Sequence, residues 1–283
     1  MNVIGLGTAG CNIARKFAKY PQYNICTIDA TEGADVKVRE RSTHEKYDEY
    51  FPKIRKKIKL SDEECLVAVC GAGKISGGVL KLLQQLADHE TSVLYIQPDL
   101  ALLSEVQKTQ EKIVRNILQE YARSGLLKRI YLVDNILLQK GVGEVPIWGY
   151  FDTLNQALVN TLHMINVFKY SSPVLGNFID PSELSRIATI GVMDLENDEE
   201  KWFFNLTNPR DVVYYYGINE EVLKTDGSLF KQITEFVKSK VQEKISVSYG
   251  VFQTTYEQKY CYCIKYSSMV QSFKEMLDDQ EIS

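Results

Sequence analysis

Two glycine-rich segments carry most of the chemistry that this sequence could perform. The first, GLGTAG, spans Gly5 to Gly10 and satisfies the pattern GxGxxG directly after an apolar run. The second, GAGKISGG, spans Gly71 to Gly78 and also follows an apolar run. Glycine lets the backbone approach a ligand closely, and a helix amino terminus presents unpaired N–H groups to an anion. Both segments therefore predict phosphate binding, and neither one by itself identifies the nucleotide.

Asp29 indicates an alternative ligand, a dinucleotide. It closes the second predicted strand 19 residues after Gly10, where a dinucleotide fold holds the adenosine ribose. An NAD-dependent oxidoreductase is therefore one hypothesis. A dinucleotide fold needs one glycine loop, however, and two loops at neighbouring strand ends suit a mononucleotide whose phosphate chain is held from two sides. The histidines His44, His89 and His163 lie where packing or surface roles are usual, and they supply no catalytic set for an oxidoreductase.

Lys74 lies inside the second glycine loop, and two interpretations of it stay open. A lysine in such a loop can offer a point charge to a phosphate, and it can equally be a solvent-facing loop residue. The loop is not a Walker A motif, because no Lys-Ser or Lys-Thr pair follows a GxxxxG pattern. A glycine-rich turn that permits tight packing of strand against helix is the structural alternative to phosphate binding.

A pair of carboxylates, Asp180 and Glu183, forms a third candidate site in the segment NFIDPSELSRI. Helix capping explains the pair structurally, since Asp180 precedes Pro181 at a predicted first helical position and Glu183 follows at the third. Two neighbouring carboxylates can also orient and polarise a water molecule, as hydrolysis of a phosphoanhydride requires. The sequence supports both interpretations. No cluster of histidine, cysteine and carboxylate residues has the spacing of metal ligands, so no protein metal site is predicted.

Apolar runs that alternate with amphipathic segments predict the scaffold that positions these residues. Strands are predicted at 1–6, 23–28, 65–70, 92–97 and 129–134, and helices at 78–87 and 105–121. The helix after the first glycine loop is expected to begin near Cys11 and Asn12. This alternation predicts an α/β fold with a Rossmann-like, doubly wound parallel sheet.

The pattern changes after a long predicted helix, YFDTLNQALVNTLHMINVFK. The segments that follow are β-rich and aromatic, with one helical segment inserted among them, which is typical of an α+β unit. We therefore predict a nucleotide-binding domain at 1–149, a central helix at 150–170, a smaller α+β domain at 171–270 and an acidic tail at 271–283.

Charge and hydropathy exclude several classes of protein. The chain has 283 residues, of which 45% are apolar and 25% charged, and its net charge is −4. Nothing in it suggests the basic surface that binds nucleic acid or anionic lipid. No apolar stretch reaches the roughly 18 residues of a membrane span. We expect a cytoplasmic protein with no nucleic-acid partner and no membrane contact.

Taken in order, these motifs resemble those of the tubulin/FtsZ superfamily of nucleotide-dependent cytoskeletal GTPases, over nearly the whole chain. GLGTAGCN resembles the family's first glycine loop, IDA its aspartate-alanine loop, and GAGKISG its signature loop GGGTGTG. VDNILL resembles the family's strand end PNDKLL, and the β-rich carboxyl unit resembles its second domain. Small divergent members of this kind are often encoded by phages or plasmids, so the resemblance suggests such an origin and a host cytoplasm.

The resemblance implies a site for GTP or GDP, with Mg²⁺. It implies these nucleotide-binding residues: Gly7, Thr8, Ala9, Gly10, Cys11, Asn12, Asp29, Ala30, Gly71, Ala72, Gly73, Lys74, Ile75, Ser76, Gly77, Phe151 and Asn155. Phe151, by default a core residue, and Asn155 stand where the family has an aromatic residue and a guanine-binding asparagine. Asp180 and Glu183 match the synergy loop that completes the active site of the neighbouring subunit. Hydrolysis would then accompany head-to-tail polymerisation of the chain with itself.

Departures from the family pattern lower the expected rate of GTP hydrolysis and leave alternative functions open. Lys74 and Ser76 replace the two threonines of the signature loop, and Ile75 replaces the glycine between them. GTP hydrolysis is therefore expected to be slow. Three functions stay open: a filament-forming GTPase, a family member that binds nucleotide weakly or not at all and acts as a non-hydrolysing regulatory protein, and an NAD-dependent oxidoreductase.

Overall fold

The computed structural model describes residues 1–55, 57–61, 63–242 and 245–272 of the chain. The strands are β1 (Asn2–Leu6), β2 (Asn24–Asp29), β3 (Val36–Lys37), β4 (Cys65–Cys70), β5 (Thr91–Gln97), β6 (Arg129–Asp134), β7 (Leu175–Asn177), β8 (Ile187–Asp194), β9 (Glu199–Trp202), β10 (Asp211–Asn219), β11 (Ser246–Thr254) and β12 (Tyr260–Ser267). The helices are α1 (Gly7–Phe17), α2 (His44–Glu49), α3 (Val79–Gln85), α4 (Glu105–Arg123), α5 (Asn135–Val142), α6 (Tyr150–Lys169), α7 (Glu220–Thr225) and α8 (Leu229–Gln242). The predicted acidic tail, 271–283, lies outside the described residues from position 273 onward.

Parallel strands build the amino-terminal part of the sheet in the order β3-β2-β1-β4-β5-β6. Both faces of these strands are covered, which is why β4 is apolar along its length. Leu66 and Ala68 of β4 join the core on one face, and Val67 and Val69 join the core on the other. The predicted doubly wound α/β sheet is therefore confirmed.

Helices supply the other half of each core. On the face of Leu66, α1 and α6 pack with residues such as Phe17 and Leu158. On the opposite face, α3 and α4 pack with residues such as Leu82 and Leu118. Each helix buries one apolar stripe, as the amphipathic pattern of the sequence predicts.

The carboxyl-terminal strands extend the same sheet. Ile187 of β8 pairs in parallel with Ile130 of β6, and the order continues β8-β12-β10-β11-β7, with β9 paired to β8. Ile233 of α8 packs in the core on one face, whereas Tyr215 and Phe252 on the other face pack in the core with α6. The domain boundaries drawn from the sequence stay a prediction.

The central helix α6 packs along one face of the sheet. Its 20 residues span about 30 Å at 1.5 Å per residue. Near its end, the Asn166 amide contacts the Met1 sulfur, beside the start of β1. Near its start, Asp152 forms an ion pair with Lys16 of α1. Because five-residue β1 spans only about 17 Å, α6 begins near the edge where β1 ends. Neither α6 nor any other described helix is long and apolar enough to cross a membrane.

Helix α1 begins earlier than the sequence predicts. Gly7 has a φ of +72° and turns the chain directly from β1 into the helix. A residue with a side chain rarely adopts this backbone conformation. The prediction of a start near Cys11 and Asn12 is wrong because Thr8 and Ala9, which it assigned to a loop, form the first helical turn.

Candidate functional site

The two glycine loops leave the sheet side by side, at the point where the strand order reverses. β1 and β4 are neighbours, with Leu6 paired to Val69, so both loops follow the carboxyl ends of adjacent parallel strands. From this pair the sheet extends to β3 on one side and through β5 and β6 on the other. A switch point of this kind opens a crevice outside the carboxyl ends, where open α/β sheets bind their ligands.

The first glycine loop forms the amino terminus of α1 and leaves it available to an anion. Among the described residues, no side chain caps this helix, and its first turn contains no acidic residue. Thr8 and Ala9 are exposed there. A helix amino terminus carries partial positive charge and N–H groups without intrahelical partners, which a phosphate can satisfy.

Asp29 connects the end of β2 to the first glycine loop. Its carboxylate accepts hydrogen bonds from the hydroxyls of Thr8, at 3.0 Å, and Thr31, at 2.9 Å, and from the Ala30 N–H, at 2.8 Å. The residue is only 5% exposed. These donors hold the carboxylate inside the protein, so Asp29 ties the first glycine loop to the loop that follows β2.

Cys11 and Asn12 follow on α1 in different environments. The Cys11 thiol is buried against the carbonyl groups of Gly5 and Ile28. Burial is the main reason why the pKa of this thiol is raised to about 11, with nearby Asp29 adding to it. Asn12 is exposed, and its side-chain oxygen accepts a weak hydrogen bond from Arg15 at 3.4 Å. Only Asn12 of the two has a side chain that solvent can reach.

The second glycine loop passes from β4 into a 3₁₀ turn, Lys74–Gly78, that precedes α3. Ser76 closes this loop from inside, because its hydroxyl oxygen lies 2.8 Å from the Gly71 carbonyl oxygen and 2.7 Å from that of Gly73. Ala72 is buried, whereas Gly73 and Lys74 are exposed at the tip. Lys74 forms no ion pair with the residues that the structure describes.

Three glycines of the second loop make room for packed neighbours, and at Gly78 a Cβ atom would lie 2.2 Å from Cδ2 of Phe51. A Cβ atom at Gly71 would lie 1.9 Å from the Tyr95 hydroxyl, and one at Gly77 would lie 2.1 Å from the carbonyl oxygen of His44. Gly73 differs, since the nearest atom to a Cβ there is 4.0 Å away. The packing role that the sequence left open is therefore observed for Gly71, Gly77 and Gly78, and Gly73 is the glycine that faces open space.

His44 is a neighbour of the site that the sequence did not identify. It begins α2, and its ring lies beside Gly77. Its Nε2 atom is buried without a hydrogen-bond partner in the described part of the chain. Burial lowers the pKa of the imidazole. The charged segment around His44 contains no recognisable motif. In the sequence, only the consecutive glycines Gly77 and Gly78 indicate that another element packs against the second glycine loop.

The two loops touch each other. A Cβ atom at Gly7 would lie 2.5 Å from Cγ2 of Ile75. Gly7 therefore serves two needs, a positive φ and a close approach to the second loop. Ile75 covers the gap at this point, where the resembling family has a glycine. The two glycine loops therefore lie next to each other at this edge of the sheet, with the Ile75 side chain between them.

Replacing Gly77 by alanine should test how closely this glycine packs against the start of α2. The added methyl group must displace the start of α2, and overpacking of this kind costs about 1–3 kcal/mol. Urea unfolding should show that loss for Gly77→Ala. Gly73→Ala is the matched control and should stay within about 0.5 kcal/mol of the wild type. Equal stability of the two variants would contradict the observed contact.

The residues implied for base binding lie on the first turns of α6. Phe151 is 64% exposed, with its ring edge-on to Tyr150 at 5.1 Å. Its default assignment to the core is wrong, because this turn precedes the part of α6 that the sheet covers. Asn155 is half-buried, and its amide takes part in none of the side-chain hydrogen bonds of the described residues. The Asp152–Lys16 ion pair fixes this turn against α1.

The acidic pair lies at the opposite edge of the sheet. Asp180 and Glu183 are exposed in the connection between β7 and β8. This connection ends where the Arg186 carbonyl accepts a hydrogen bond from the Ile130 amide, at the beginning of β6. The predicted helix start at Pro181 is wrong, because the chain makes only a turn there, closed by the Ser185 amide on the Ser182 carbonyl at 2.8 Å. Within one chain, the acids are therefore remote from the glycine loops.

Two other features bear on what the site can hold. No group of three or more histidine, cysteine or carboxylate residues in the described part of the chain could hold a metal ion. Mg²⁺ bound together with a nucleotide would take most of its ligands from the phosphates and from water, as it does in many phosphate-transfer sites. Two cavities lie away from the glycine loops and include none of their residues. One, of about 610 Å³, lies beside Tyr170, and the other, of about 360 Å³, lies beside Leu223.

Solved structures of TubZ, FtsZ and CetZ share this architecture. The chain superposes on a GTPγS-form protofilament of TubZ from Bacillus thuringiensis serovar israelensis with a TM-score of 0.73 and 17% identity, covering 94% of this chain and 86% of that one. An empty FtsZ dimer from M. jannaschii gives 0.68 and 12% identity, over 94% and 87% of the chains. CetZ from Methanosaeta thermophila gives 0.68 and 13%, over 95% and 86%.

These matches define the class: the chain has the tubulin/FtsZ fold, as the sequence motifs predict. No protein-family model matches the sequence, and no curated protein sequence matches it significantly. The similarity therefore lies in the arrangement of strands, helices and loops. The sequence identities of 12–17% are too low for a comparison of sequences to detect it.

Proposed function

We propose that this chain binds a guanine nucleotide across its two glycine loops and assembles head to tail into filaments. The observation that supports this most strongly is the contact between Gly7 and Ile75, which puts both loops on one crevice at the switch point of the sheet. The TubZ structures described as GTPγS and GDP forms are protofilaments, and they share this fold.

Each loop has a distinct part in holding the phosphates. The exposed first turn of α1, at Thr8 and Ala9, offers N–H groups to the phosphate chain. The second loop offers the backbone of Gly73 and the positive charge of Lys74 from the other side. Asn155 offers its unpaired amide to the guanine base, with the exposed Phe151 ring one turn away.

Hydrolysis in this proposal needs a second protomer. Asp180 and Glu183 are exposed carboxylates without ion-pair partners in the described part of the chain, and they lie at the edge opposite the glycine loops. Head-to-tail stacking would bring them to the nucleotide of the next protomer. A carboxylate placed there can accept the proton of the attacking water. Such a contact is heterologous, so repeated stacking builds an open filament.

One observation favours a non-hydrolysing protein as the second candidate. Ile75 fills part of the gap between the loops, and the Ser76 hydroxyl is engaged within its own loop. Both changes lie where the phosphates would be held. An NAD-dependent oxidoreductase is less well supported. It would use the Asp29 carboxylate to hold the adenosine ribose, and this carboxylate already accepts three hydrogen bonds from Thr8, Ala30 and Thr31.

Assembly with GTP and Mg²⁺ tests the proposed function. Purified protein should sediment as filaments after GTP is added and should release phosphate slowly. Binding of GTP without sedimentation or phosphate release would select the non-hydrolysing candidate. Failure to bind GTP at all would reject the proposed filament-forming GTPase and leave the non-hydrolysing candidate in the form that binds no nucleotide.

Removing the Asn155 amide should weaken base recognition selectively. Asn155→Ala should bind GTP about tenfold more weakly, since a hydrogen bond in a partly buried site contributes about 1–1.5 kcal/mol. Affinity for ATP should change little, so the ratio of the two affinities falls. Thr153→Ala, an exposed residue on the same turn of α6, is the control. A parallel loss of GTP and ATP affinity would contradict a role in base recognition.

A further inference from the structure

Three polar residues lie on the buried face of α4, where its amphipathic pattern calls for apolar ones. Glu111, Arg115 and Gln119 recur every fourth residue, and each of them is at most 2% exposed. Charged side chains are almost never buried this fully unless their partners are buried with them. The partners lie at two distant points of the chain, one on β5 and one in the segment that follows β12.

Tyr95 links this polar stripe to the second glycine loop. Its side chain projects from β5 and is fully buried. The hydroxyl donates a hydrogen bond to the Glu111 carboxylate at 3.0 Å. Burial raises the pKa of this hydroxyl, with the Glu111 charge adding to it, so the group stays protonated and can donate. A Cβ atom at Gly71 would lie 1.9 Å from the hydroxyl oxygen, so the hydroxyl occupies the place that a side chain at Gly71 would need.

Gln271 completes the stripe from the other side. Its carbonyl accepts hydrogen bonds from Arg115 at 2.9 Å and from Gln119 at 3.2 Å, and its N–H donates to Gln119 at 2.7 Å. Its side-chain oxygen accepts from the N–H and the hydroxyl of Thr207, at 2.7 and 2.9 Å. The segment that follows β12 is therefore fastened to α4 and to the connection between β9 and β10.

An ion pair joins the two halves, since Nε of Arg115 lies 2.9 Å from the Glu111 carboxylate. We call Tyr95, Glu111, Arg115, Gln119 and Gln271 the Tyr95 network. Removing one partner of a buried ion pair leaves a charge without compensation, and hydrogen bonds in such a network strengthen one another. Loss of a hydrogen bond at either end therefore affects the whole network.

We propose that the Tyr95 network positions the second glycine loop for the phosphates and couples this loop to the segment after β12. The inference rests on the proposed binding of a guanine nucleotide. Tyr95 is a positioning residue in it, because the hydroxyl supports the backbone of Gly71 from the buried side. A phosphate that holds Gly71 in one conformation also holds Tyr95 on Glu111, so nucleotide binding strengthens the contacts of Gln271. Linkage requires the reverse effect to be equally large.

Hydrogen exchange at the Gln271 N–H can report this coupling. It is followed by mass spectrometry at a protein concentration too low for filaments to sediment. In the wild type, saturating GTP should slow this exchange at least about fivefold, the lower end of usual coupling between sites. Tyr95→Phe removes the hydroxyl and keeps the ring. This variant should bind GTP at least about fivefold more weakly, and saturating GTP should no longer slow the exchange.

Tyr216→Phe is the matched control for the loss of a buried hydroxyl. The Tyr216 hydroxyl is buried and has no hydrogen-bond partner in the described part of the chain. This variant should bind GTP as the wild type does and should keep the slowing of exchange at Gln271. A purely structural role of Tyr95 would alter the basal exchange and leave the response to GTP in place.

Gln271→Ala tests the network from its other end. The variant loses the side-chain hydrogen bonds to Thr207 and should also weaken GTP binding. In the double variant Tyr95→Phe/Gln271→Ala, the loss of affinity should be smaller than the product of the two single losses, because either substitution already breaks the network. Urea unfolding shows whether each variant is folded. Thr207→Val, which removes one hydroxyl from the same contact, takes the place of Gln271→Ala if that variant does not fold.

The outcomes separate the inference from the proposed function. A wild type that binds GTP with unchanged exchange at Gln271 would reject the coupling and leave nucleotide binding intact. Single losses that multiply in the double variant would reject it in the same way. A Tyr95→Phe variant that binds GTP as the wild type does would reject the positioning role. A wild type that binds no GTP would reject both the inference and the guanine-nucleotide site.

Discussion

Replacing Asp180 by alanine should slow GTP hydrolysis at least about a hundredfold, because a positioned proton acceptor contributes roughly 10²–10⁴ to a rate. Binding of GTP should be nearly unchanged. The side chain is exposed and lies at the edge of the sheet away from the glycine loops, so neither the core nor the phosphate cradle depends on it. Steady-state phosphate release and a separate nucleotide titration measure the two quantities.

A matched control makes the Asp180 result specific. Glu196→Ala removes another exposed carboxylate, in the turn between β8 and β9, and should leave both quantities unaltered. Glu183→Ala should act in the same direction as Asp180→Ala. Wild-type hydrolysis by the Asp180 variant would contradict the role of the acidic pair, whereas loss of GTP binding would contradict its placement on a neighbouring protomer.

Gly10→Ala should produce the largest loss of stability in the site. A Cβ atom at Gly10 would lie 2.2 Å from the Ala68 carbonyl oxygen and 3.0 Å from its carbonyl carbon. Ala68 lies in β4, which is paired on both sides, so its backbone cannot retreat as the surface helix α2 can near Gly77. We expect a cost of about 3 kcal/mol or more, or no folded protein at all.

Gly227 is the control for Gly10, because it lies in open space. A Cβ atom at Gly227 would meet nothing within 4 Å, so Gly227→Ala should unfold at the urea concentration of the wild type. Gly10→Ala should unfold at a clearly lower concentration. If both variants unfold together with the wild type, α1 does not pack on β4 as closely as the structure describes.

The scaffold of the site could be predicted from the sequence because buried parallel strands are apolar on both faces. β1, β2 and β4 to β6 were predicted on that basis, and their alternation with helices predicted a parallel, doubly wound sheet. Glycine spacing also predicted the two loops at neighbouring strand ends. What the sequence did not give was the contact of α2 with the second loop, because His44 and Gly77 are linked by no repeating pattern.

Loops and exposed turns were predicted least well. Asp180-Pro181 resembles a helix start, yet the three residues 182–184 are exposed and give a helix no buried apolar face, and the chain forms a turn instead. Phe151 looked like core by residue type alone. Its exposure depends on where α6 leaves the sheet, which is a tertiary property that the helical period does not contain.

A calorimetric titration with GTP, GDP, guanosine and NADH tests the central claim most directly. If the loops after β1 and β4 hold one phosphate chain beside a guanine site, GTP and GDP should bind at one site per protomer, guanosine should bind far more weakly, and NADH should not bind. Binding of NADH in place of GTP, or guanosine binding as tight as that of GTP, would contradict the claim.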